Sequence, residues 1–226
     1  MFLTTDNKML WGRLKIAALV VACLLVVGIS WGDAPLYLLL RKLDCNLWYW
    51  FGVVFDDKVW FFAGLVAVMV FYVKKSLVSK PKIRNDRNRI SLVAFLRDFY
   101  VKIKGSYAFF IFCSILCTGL VVKVSKTFIG RARPIFFEAL DMTGFFPPST
   151  EWAFNSMPSG HTAVTFAGLV MIGMLAPKYK ALTWTLAIIV GVSRIAIGAH
   201  WPTDVILGAF IGMVVADIVK WQLMKK

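Results

Sequence analysis

Cysteine is scarce in this sequence, and its four cysteines exclude a disulfide framework. Cys23, Cys113 and Cys117 lie inside apolar runs, where a free thiol behaves as a small hydrophobic group. Cys45 has no metal-ligand spacing with any other residue. The sequence therefore predicts neither a disulfide scaffold nor a cysteine-based metal site.

Charged residues make up only 17% of the chain, whereas long apolar runs are abundant. Hydrophobic residues reach 59% and the mean hydropathy is +0.73. A soluble domain has an apolar fraction of only about 45–50%. Several runs approach the roughly 20 apolar residues that cross a bilayer. We therefore predict a single membrane-embedded domain over residues 1–226.

Acidic residues number 12 against 26 basic ones, which gives a net charge of +14. A charge of this size is compatible with nucleic acid or anionic lipid as a partner. However, ten of the basic residues lie between Lys74 and Lys104, in a stretch that is typical of a loop between two spans. The positive-inside rule places this loop in the cytoplasm, and no nucleic-acid partner is expected.

Six membrane helices are predicted, so the expected fold is an all-α, polytopic six-helix bundle. Their approximate ranges are Leu14–Trp31, Val59–Val73, Tyr107–Val122, Thr162–Ala176, Ala181–Ile197 and Thr203–Leu223. The first span lacks a small-x-small cleavage pattern and is predicted to be retained. Leu36–Phe55 is apolar but interrupted by charges, and we expect it to lie on the membrane surface. Ile90–Arg97 is expected to form an interfacial helix on anionic headgroups.

Loop charges predict the orientation of the bundle, with the N- and C-termini in the cytoplasm. The opposite, periplasmic side carries both histidines of the protein and three basic residues near helix ends, namely His161, His200, Lys126, Arg133 and Arg194. Ionisable groups at membrane depth are costly, so five of them on one face predict a functional site.

The first polar segment, Lys126 to Pro134, offers three cations. Arg133 suits bidentate binding of phosphate oxygens, and Lys126 acts as a point charge. Taken alone, the segment also fits a basic flank that anchors a helix to headgroups. We expect Arg131 to be such an anchor. On the sixth span, we expect Asp217 to form a local helical pair with Lys220.

The second segment, Pro158 to Thr162, directly precedes the fourth span. Free N–H groups at a helix N-terminus bind anions, and glycine permits close approach of a ligand. An ordinary helix cap with a chance histidine is the alternative interpretation.

The third segment, Ser193 to Asp204, contains a helix break caused by Pro202. His200 lies at this break, and we expect Asp204 to accept its ring N–H. That bond would leave the other ring nitrogen free as a nucleophile. A structural Asp–His cap is the alternative.

Together the three segments resemble the signature of the type-2 phosphatidic acid phosphatase superfamily, which also contains vanadium haloperoxidases and glucose-6-phosphatase. The signature reads Lys-x6-Arg-Pro, then Pro-Ser-Gly-His, then Ser-Arg-x5-His-x3-Asp. Every position is filled in order between Lys126 and Asp204. The resemblance implies a six-helix membrane member with an acid-phosphatase and vanadium-haloperoxidase-like core.

The resemblance also implies a lipid phosphatase with a defined set of site residues. His200 attacks phosphorus to form a phosphohistidine, Asp204 orients it, and His161 protonates the leaving group and then activates water. The phosphate oxygens are bound by Lys126, Arg133, Ser159, Gly160 and Arg194. Phosphoryl transfer needs mainly positioning and charge neutralisation, which agrees with this set. Since no acidic metal-ligand cluster accompanies it, we predict an enzyme that needs no metal or other cofactor.

The location predicts the substrate class, a phosphorylated lipid at the periplasmic face of a bacterial inner membrane. Candidates are lipid A, undecaprenyl pyrophosphate and phosphatidylglycerol phosphate. The short Phe128–Pro158 connection is similar to that of lipid A 1-phosphatases and undecaprenyl-pyrophosphatases. Two alternatives stay open: a lipid phosphotransferase with the same intermediate, and a non-catalytic transporter or scaffold for anionic lipid. No obligate protein partner is evident.

Overall fold

The chain is almost entirely helical in a computed structural model that describes residues 1–4, 6–78 and 92–225. Its helices are α1 Trp11–Val27, α2 Asp33–Arg41, α3 Asn46–Val54, α4 Asp57–Val78, α5 Leu92–Ile103, α6 Tyr107–Ile129, α7 Pro134–Leu140, α8 Gly160–Leu175, α9 Lys180–Ala196 and α10 Pro202–Leu223. A π-helical segment, Gly28–Gly32, joins α1 to α2. The described residues form no strand, only isolated bridges, so the all-α prediction is confirmed.

Five helical stretches of the described residues are long and apolar enough to cross a membrane. They are Trp11–Arg41, Asn46–Val78, Tyr107–Ile129, Pro177–Ala196 and Pro202–Leu223. The remaining predicted span corresponds to α8, which is apolar but has only 16 residues. At about 1.5 Å per residue, α8 is roughly 24 Å long, against a hydrocarbon core of about 30 Å. The chain is thus a multi-pass membrane protein with five full-length candidate spans in its described part.

The location of Leu36–Phe55 on the membrane surface stays a prediction, but the segment is not separate from the neighbouring helices. The first helix continues through the π-helical segment and α2 to form a 31-residue stretch, and α3 and α4 together form one of 33 residues. The charges that interrupt the apolar run lie at the turn between these stretches. There Arg41 forms ion pairs with Asp44 and with Glu138. These charges therefore mark the connection between α2 and α3.

The described residues test the other peripheral predictions only in part. α5 begins at Leu92, so it overlaps the predicted interfacial helix, but Ile90 lies outside the described residues. Its contact with headgroups stays a prediction. At the far end of α10, buried Asp217 accepts a hydrogen bond from the Phe2 N–H at 2.6 Å. Lys220 instead donates to the carbonyl of Met174, so the predicted Asp217–Lys220 pair is wrong.

Helix α8 is the centre of the bundle and packs against α6, α9 and α10. Two glycines allow α10 to approach it closely. A Cβ on Gly212 would lie 2.2 Å from the carbonyl oxygen of Ala163, and one on Gly208 would lie 2.6 Å from that of Ser159. Small residues four apart let membrane helices meet backbone to backbone. This contact brings the first turn of α10 against the start of α8, where the polar segments converge.

Candidate active site

The end of α6 directs the first polar segment towards the helix bundle. Gly130 adopts a left-handed conformation with φ +60° and its N–H bonds the carbonyl of Lys126 at 3.0 Å. A Cβ at this position would lie 2.6 Å from the backbone of Phe146. Glycine suits both requirements, since it tolerates positive φ and has no side chain. Lys126 therefore lies in the last helical turn, and Arg131 and Arg133 follow the bend.

Lys126 and Arg133 lie on either side of one carbonyl oxygen, that of Asn155. Lys126 Nζ and Arg133 Nη2 both donate to it. The Arg133 guanidinium also donates to the carbonyl of Trp152 at 2.9 Å and stacks on the ring of that residue at 4.3 Å. Burial lowers the pKa of Arg133 to about 10, which still leaves it charged at neutral pH. These bonds use neutral acceptors, so both positive charges stay available to an anion.

Ser159 and Gly160 lie at the start of α8, where this helix meets α10 and α6. The Ser159 N–H bonds the carbonyl of Asp204 at 2.9 Å. Its hydroxyl lies 2.9 Å from that of Thr162 and keeps its own proton for a phosphate oxygen when Thr162 is the donor of that bond. A Cβ on Gly160 would lie 3.8 Å from Cε of Lys126. The start of α8 therefore faces the Lys126 side chain directly.

His161 follows in the first turn of α8 and pairs with an acid that the sequence analysis did not identify. Its Nε2 lies 3.1 Å from Oδ2 of Asp56, at the junction between α3 and α4. The only sequence signal for Asp56 is its place in an adjacent acidic pair, with Asp57, at the start of a membrane span. An acid at such depth is a functional hypothesis by default.

The break between α9 and α10 positions His200. The N–H groups of Ala199 and His200 both bond the carbonyl of Arg194, at 3.1 and 3.2 Å, after the chain turns at Gly198. Only 2% of His200 is exposed. Burial, and then the positive charges of Lys126, Arg133 and Arg194, lower the pKa of His200 well below its ordinary value. The imidazole is therefore neutral, as a nucleophile must be.

Arg194 is nearly buried beside the same break, with 9% of its surface exposed. Its Nε makes no hydrogen bond within the described part of the chain. Its guanidinium lies against Gly52 on α3, where a Cβ would come within 2.4 Å of Nη1. Such a cation, close to His200 but without an acceptor on Nε, is available to bind an anion in the site.

Asp204 lies close to His200 but does not accept its ring proton as we predicted. Its Oδ2 lies 3.7 Å from Nδ1 of His200, beyond hydrogen-bond length. Oδ2 already accepts bonds from the Trp201 N–H and the Ser156 hydroxyl. Among the described residues, Nδ1 of His200 has no hydrogen-bond partner. Asp204 and His200 are therefore neighbours, but no hydrogen bond joins their side chains in this structure.

The expectation that Arg131 anchors the chain to headgroups is wrong. Arg131 is 6% exposed and forms ion pairs with Asp204 at 2.7 Å and Asp33 at 2.6 Å. Asp33, at the end of the π-helical segment, also accepts the Thr203 N–H at 2.9 Å. Sequence analysis missed Asp33 because nothing in its neighbourhood indicates a partner nearly 100 residues away. Arg131 therefore acts inside the fold, where it holds the carboxylate of Asp204.

An apolar groove of about 470 Å³ opens between α4 and α6. Its walls are mostly apolar side chains, including Phe61, Phe62, Ile115, Leu116, Leu120 and Val164. Asp57, Lys58 and Lys123 line the end of the groove nearest to Lys126, because α4 begins and α6 ends there. The groove thus combines an apolar length with a charged end close to the site.

The structure brings the eight predicted site residues to one end of the bundle, around His200. Across the described residues, no group of three or more His, Cys, Asp and Glu side chains could hold a metal ion. Independence from metals stays a prediction.

Comparison with known proteins is consistent with this arrangement. The model of the PAP2 superfamily matches residues 107–226. A lipid A 1-phosphatase of Rhizobium etli is 31% identical over 158 residues, which are 70% of this chain and 62% of that protein. A lipid A 1-phosphatase of Rhizobium johnstonii is 39% identical over 113 residues, 50% of this chain and 45% of that protein.

A more distant relative is an undecaprenyl-diphosphatase of Sulfolobus acidocaldarius, 33% identical over 40% of this chain and 42% of its own. The chain thus spans about half to three fifths of the two lipid A 1-phosphatases. No solved structure matches the chain significantly. Because the family model covers more than half of the sequence, including all three polar segments, the chain belongs to the PAP2 superfamily.

Proposed function

We propose that this protein is a phosphoric ester hydrolase that removes phosphate from a membrane lipid through a phosphohistidine on His200. The observation that carries the proposal is the geometry around His200, a buried imidazole whose Nδ1 lies 3.7 Å from Asp204, at the end of the bundle that also holds His161 and three cations. Family membership and the phosphatase names of the relatives support the reaction class.

The proposed reaction has two steps. Nε2 of His200 attacks phosphorus, the bond from phosphorus to the lipid oxygen breaks, and His161 donates a proton to that oxygen. Water then attacks the phosphohistidine, gives a proton to His161, and releases inorganic phosphate and free His200. Nδ1 is the nitrogen nearer Asp204, so Asp204 stabilises the positive imidazole that forms after attack.

The cations supply most of the remaining catalysis in this proposal. Lys126, Arg133 and Arg194 neutralise the phosphoryl oxygens, and the Gly160 N–H at the start of α8 adds a donor. Removal of one such preorganised donor costs about 10²–10³ in rate in other enzymes. The carboxylates of Asp33 and Asp204 are occupied by Arg131, so the other three cations are left for the substrate.

We further propose six membrane-crossing helices, with α8 as the sixth and both termini in the cytoplasm. Since α8 is several ångströms shorter than the hydrocarbon core, its N-terminus would lie slightly below the outer surface. That depth suits a phosphate attached to a lipid. The apolar groove between α4 and α6 supports the same substrate class, because an acyl chain fits beside the site. The substrate would be lipid A, undecaprenyl pyrophosphate or phosphatidylglycerol phosphate at the periplasmic face of a bacterial inner membrane.

The proposal is tested with purified protein in detergent against those three lipids, with products separated by thin-layer chromatography. We expect inorganic phosphate from at least one lipid, and a loss of several orders of magnitude for His200→Ala and for His161→Ala. Full activity of His200→Ala would refute the mechanism. A radiolabelled donor with a second lipid present separates hydrolysis from transfer between lipids. Activity that EDTA abolishes and Mg²⁺ restores would contradict metal independence.

A further inference from the structure

Asp56 is not one of the eight predicted site residues, and a backbone hydrogen bond fixes the position of its carboxylate. Its Oδ1 accepts the backbone N–H of Lys58 at 2.9 Å, which orients the carboxylate at the start of α4. Its other oxygen, Oδ2, lies 3.1 Å from Nε2 of His161. The two side chains are 32% and 21% exposed, so the pair lies at the open edge of the site. One carboxylate oxygen of Asp56 thus accepts a backbone hydrogen bond, and the other faces the imidazole of His161.

This contact selects the tautomer of His161. A carboxylate only accepts, so Nε2 must carry the proton that it shares with Asp56. In the doubly protonated form of His161 that acts as the acid, the proton that goes to the lipid oxygen then leaves from Nδ1, and Nε2 keeps the proton that it shares with Asp56. A partner that fixes one ring nitrogen in this way also fixes the direction of the other. The geometry therefore decides which atom of His161 acts as the acid.

The charges around His161 give Asp56 a second effect. Arg194 from α9 and Lys126 from α6 place positive charge near the imidazole, and His200 lies nearby. Asp57 interacts with the same two cations and with the side chain of Asp56. Asp56 is thus the carboxylate that contacts the ring, and it opposes part of the effect of those positive charges. Without Asp56, protonated His161 would be a positive charge surrounded by other positive charges.

We propose that Asp56 is a positioning residue that orients His161 and keeps it available as the proton donor for the leaving lipid oxygen. This inference rests on the proposed function, in which His161 is the acid. The residue lies outside residues 107–226, the part that matches the family model. Its contribution therefore comes from the half of the chain that the family signature does not include.

The test separates proton donation from the rest of catalysis by means of the leaving group. A lipid alkyl phosphate needs a proton on its departing oxygen, whereas p-nitrophenyl phosphate does not. General-acid catalysis contributes about 10²–10⁴, so Asp56→Asn is expected to reduce kcat/KM for the lipid by roughly 10–100-fold, and for the aryl ester by less than about threefold. Asp56→Ala, which also removes the acceptor, is expected to lose more than Asp56→Asn on the lipid.

Two further measurements use the lipid substrate alone. In a His161→Ala background, Asp56→Asn should cause no additional loss, because the group through which it acts is gone. The alkaline limb of the pH–rate profile should move to lower pH in Asp56→Asn, since the protonated imidazole has lost its counter-charge. Asp44→Asn removes an exposed acid that pairs with Arg41, and serves as the matched control with wild-type kinetics.

The outcomes distinguish the two levels of the proposal. Wild-type activity in His161→Ala would overturn the proposed mechanism itself. An inactive His161→Ala with a fully active Asp56→Asn would overturn only the role of Asp56, as would an equal loss on both substrates or a further loss in the double variant. Higher activity of Asp56→Asn would mean that the carboxylate occupies the place of the phosphate. Thermal unfolding in detergent checks that each variant is folded.

Discussion

Replacement of Arg131 by alanine tests the buried ion pairs behind the site. Arg131 joins Asp33 and Asp204, and the three side chains are 7%, 6% and 0% exposed. In Arg131→Ala both carboxylates keep their bonds to N–H groups but lose their positive partner. The loss of one partner from a buried ion pair costs about 3–5 kcal/mol, and we expect the free energy of unfolding to fall by about that amount.

The assay is equilibrium unfolding of the detergent-solubilised protein by added SDS, followed by circular dichroism. Arg13→Ala, on the exposed part of α1, is the matched control and should change stability by less than about 0.5 kcal/mol. Addition of Asp33→Asn to Arg131→Ala should recover part of the loss, because one uncompensated charge is removed. If Arg131→Ala unfolds like the wild type, these ion pairs do not stabilise the fold and the interpretation of Arg131 fails.

Three further perturbations test the packing and the electrostatics of the site. Gly212→Leu should abolish the recovery of folded protein, measured by size-exclusion chromatography in detergent, because even a Cβ would lie 2.2 Å from a backbone oxygen. Gly52→Ala should lower kcat/KM by about tenfold or more with little loss of stability, because it displaces the guanidinium of Arg194; unchanged kinetics would remove Arg194 from the site. Since the pKa of His200 is lowered from 6.5 on folding, the unfolded chain binds more protons below that pH. Stability should therefore fall as the pH drops below 6.5, and His200→Gln should reduce this fall in acid unfolding curves.

The residues of the three segments were predictable because each acts where a helix begins or ends. Proline and glycine show those positions in sequence, as Pro202 and Gly130 do here. The start of α8 and the break before α10 are local features, so His161 and His200 could be assigned to one face without knowledge of the tertiary structure.

The acidic partners were not predictable because they come from distant parts of the chain. Asp56 lies 105 positions before His161, and Asp33 lies 98 before Arg131. Hydropathy shows that these acids are costly to place in a membrane. It does not show which cation each acid pairs with. Arg131 was misassigned for the same reason: a basic residue beside a span has the same sequence signature whether it faces headgroups or a buried carboxylate.

The end of the first helix was predicted too early. Its apolar run ends at Trp31, before Gly32 and Asp33, but the π-helical segment lets the helix continue through α2 to Arg41. The length of α8 was predicted well, since the predicted range Thr162–Ala176 differs from the observed Gly160–Leu175 by at most two residues at either end. The prediction did not include the burial of its middle residues, 162–171, which depends on the glycines of α10.

The ion pair between Arg131 and Asp33 joins residues 107–226, which carry the signature, to the part of the chain that precedes them. A hybrid protein joined at residue 107, with its first half taken from a relative, would keep every signature residue and still replace both Asp33 and Asp56. Under the proposed mechanism, such a hybrid would carry an intact motif and yet turn over slowly unless its first half supplied acids at the same two places. For this chain, the first half would then have to accompany the signature if activity is to be kept.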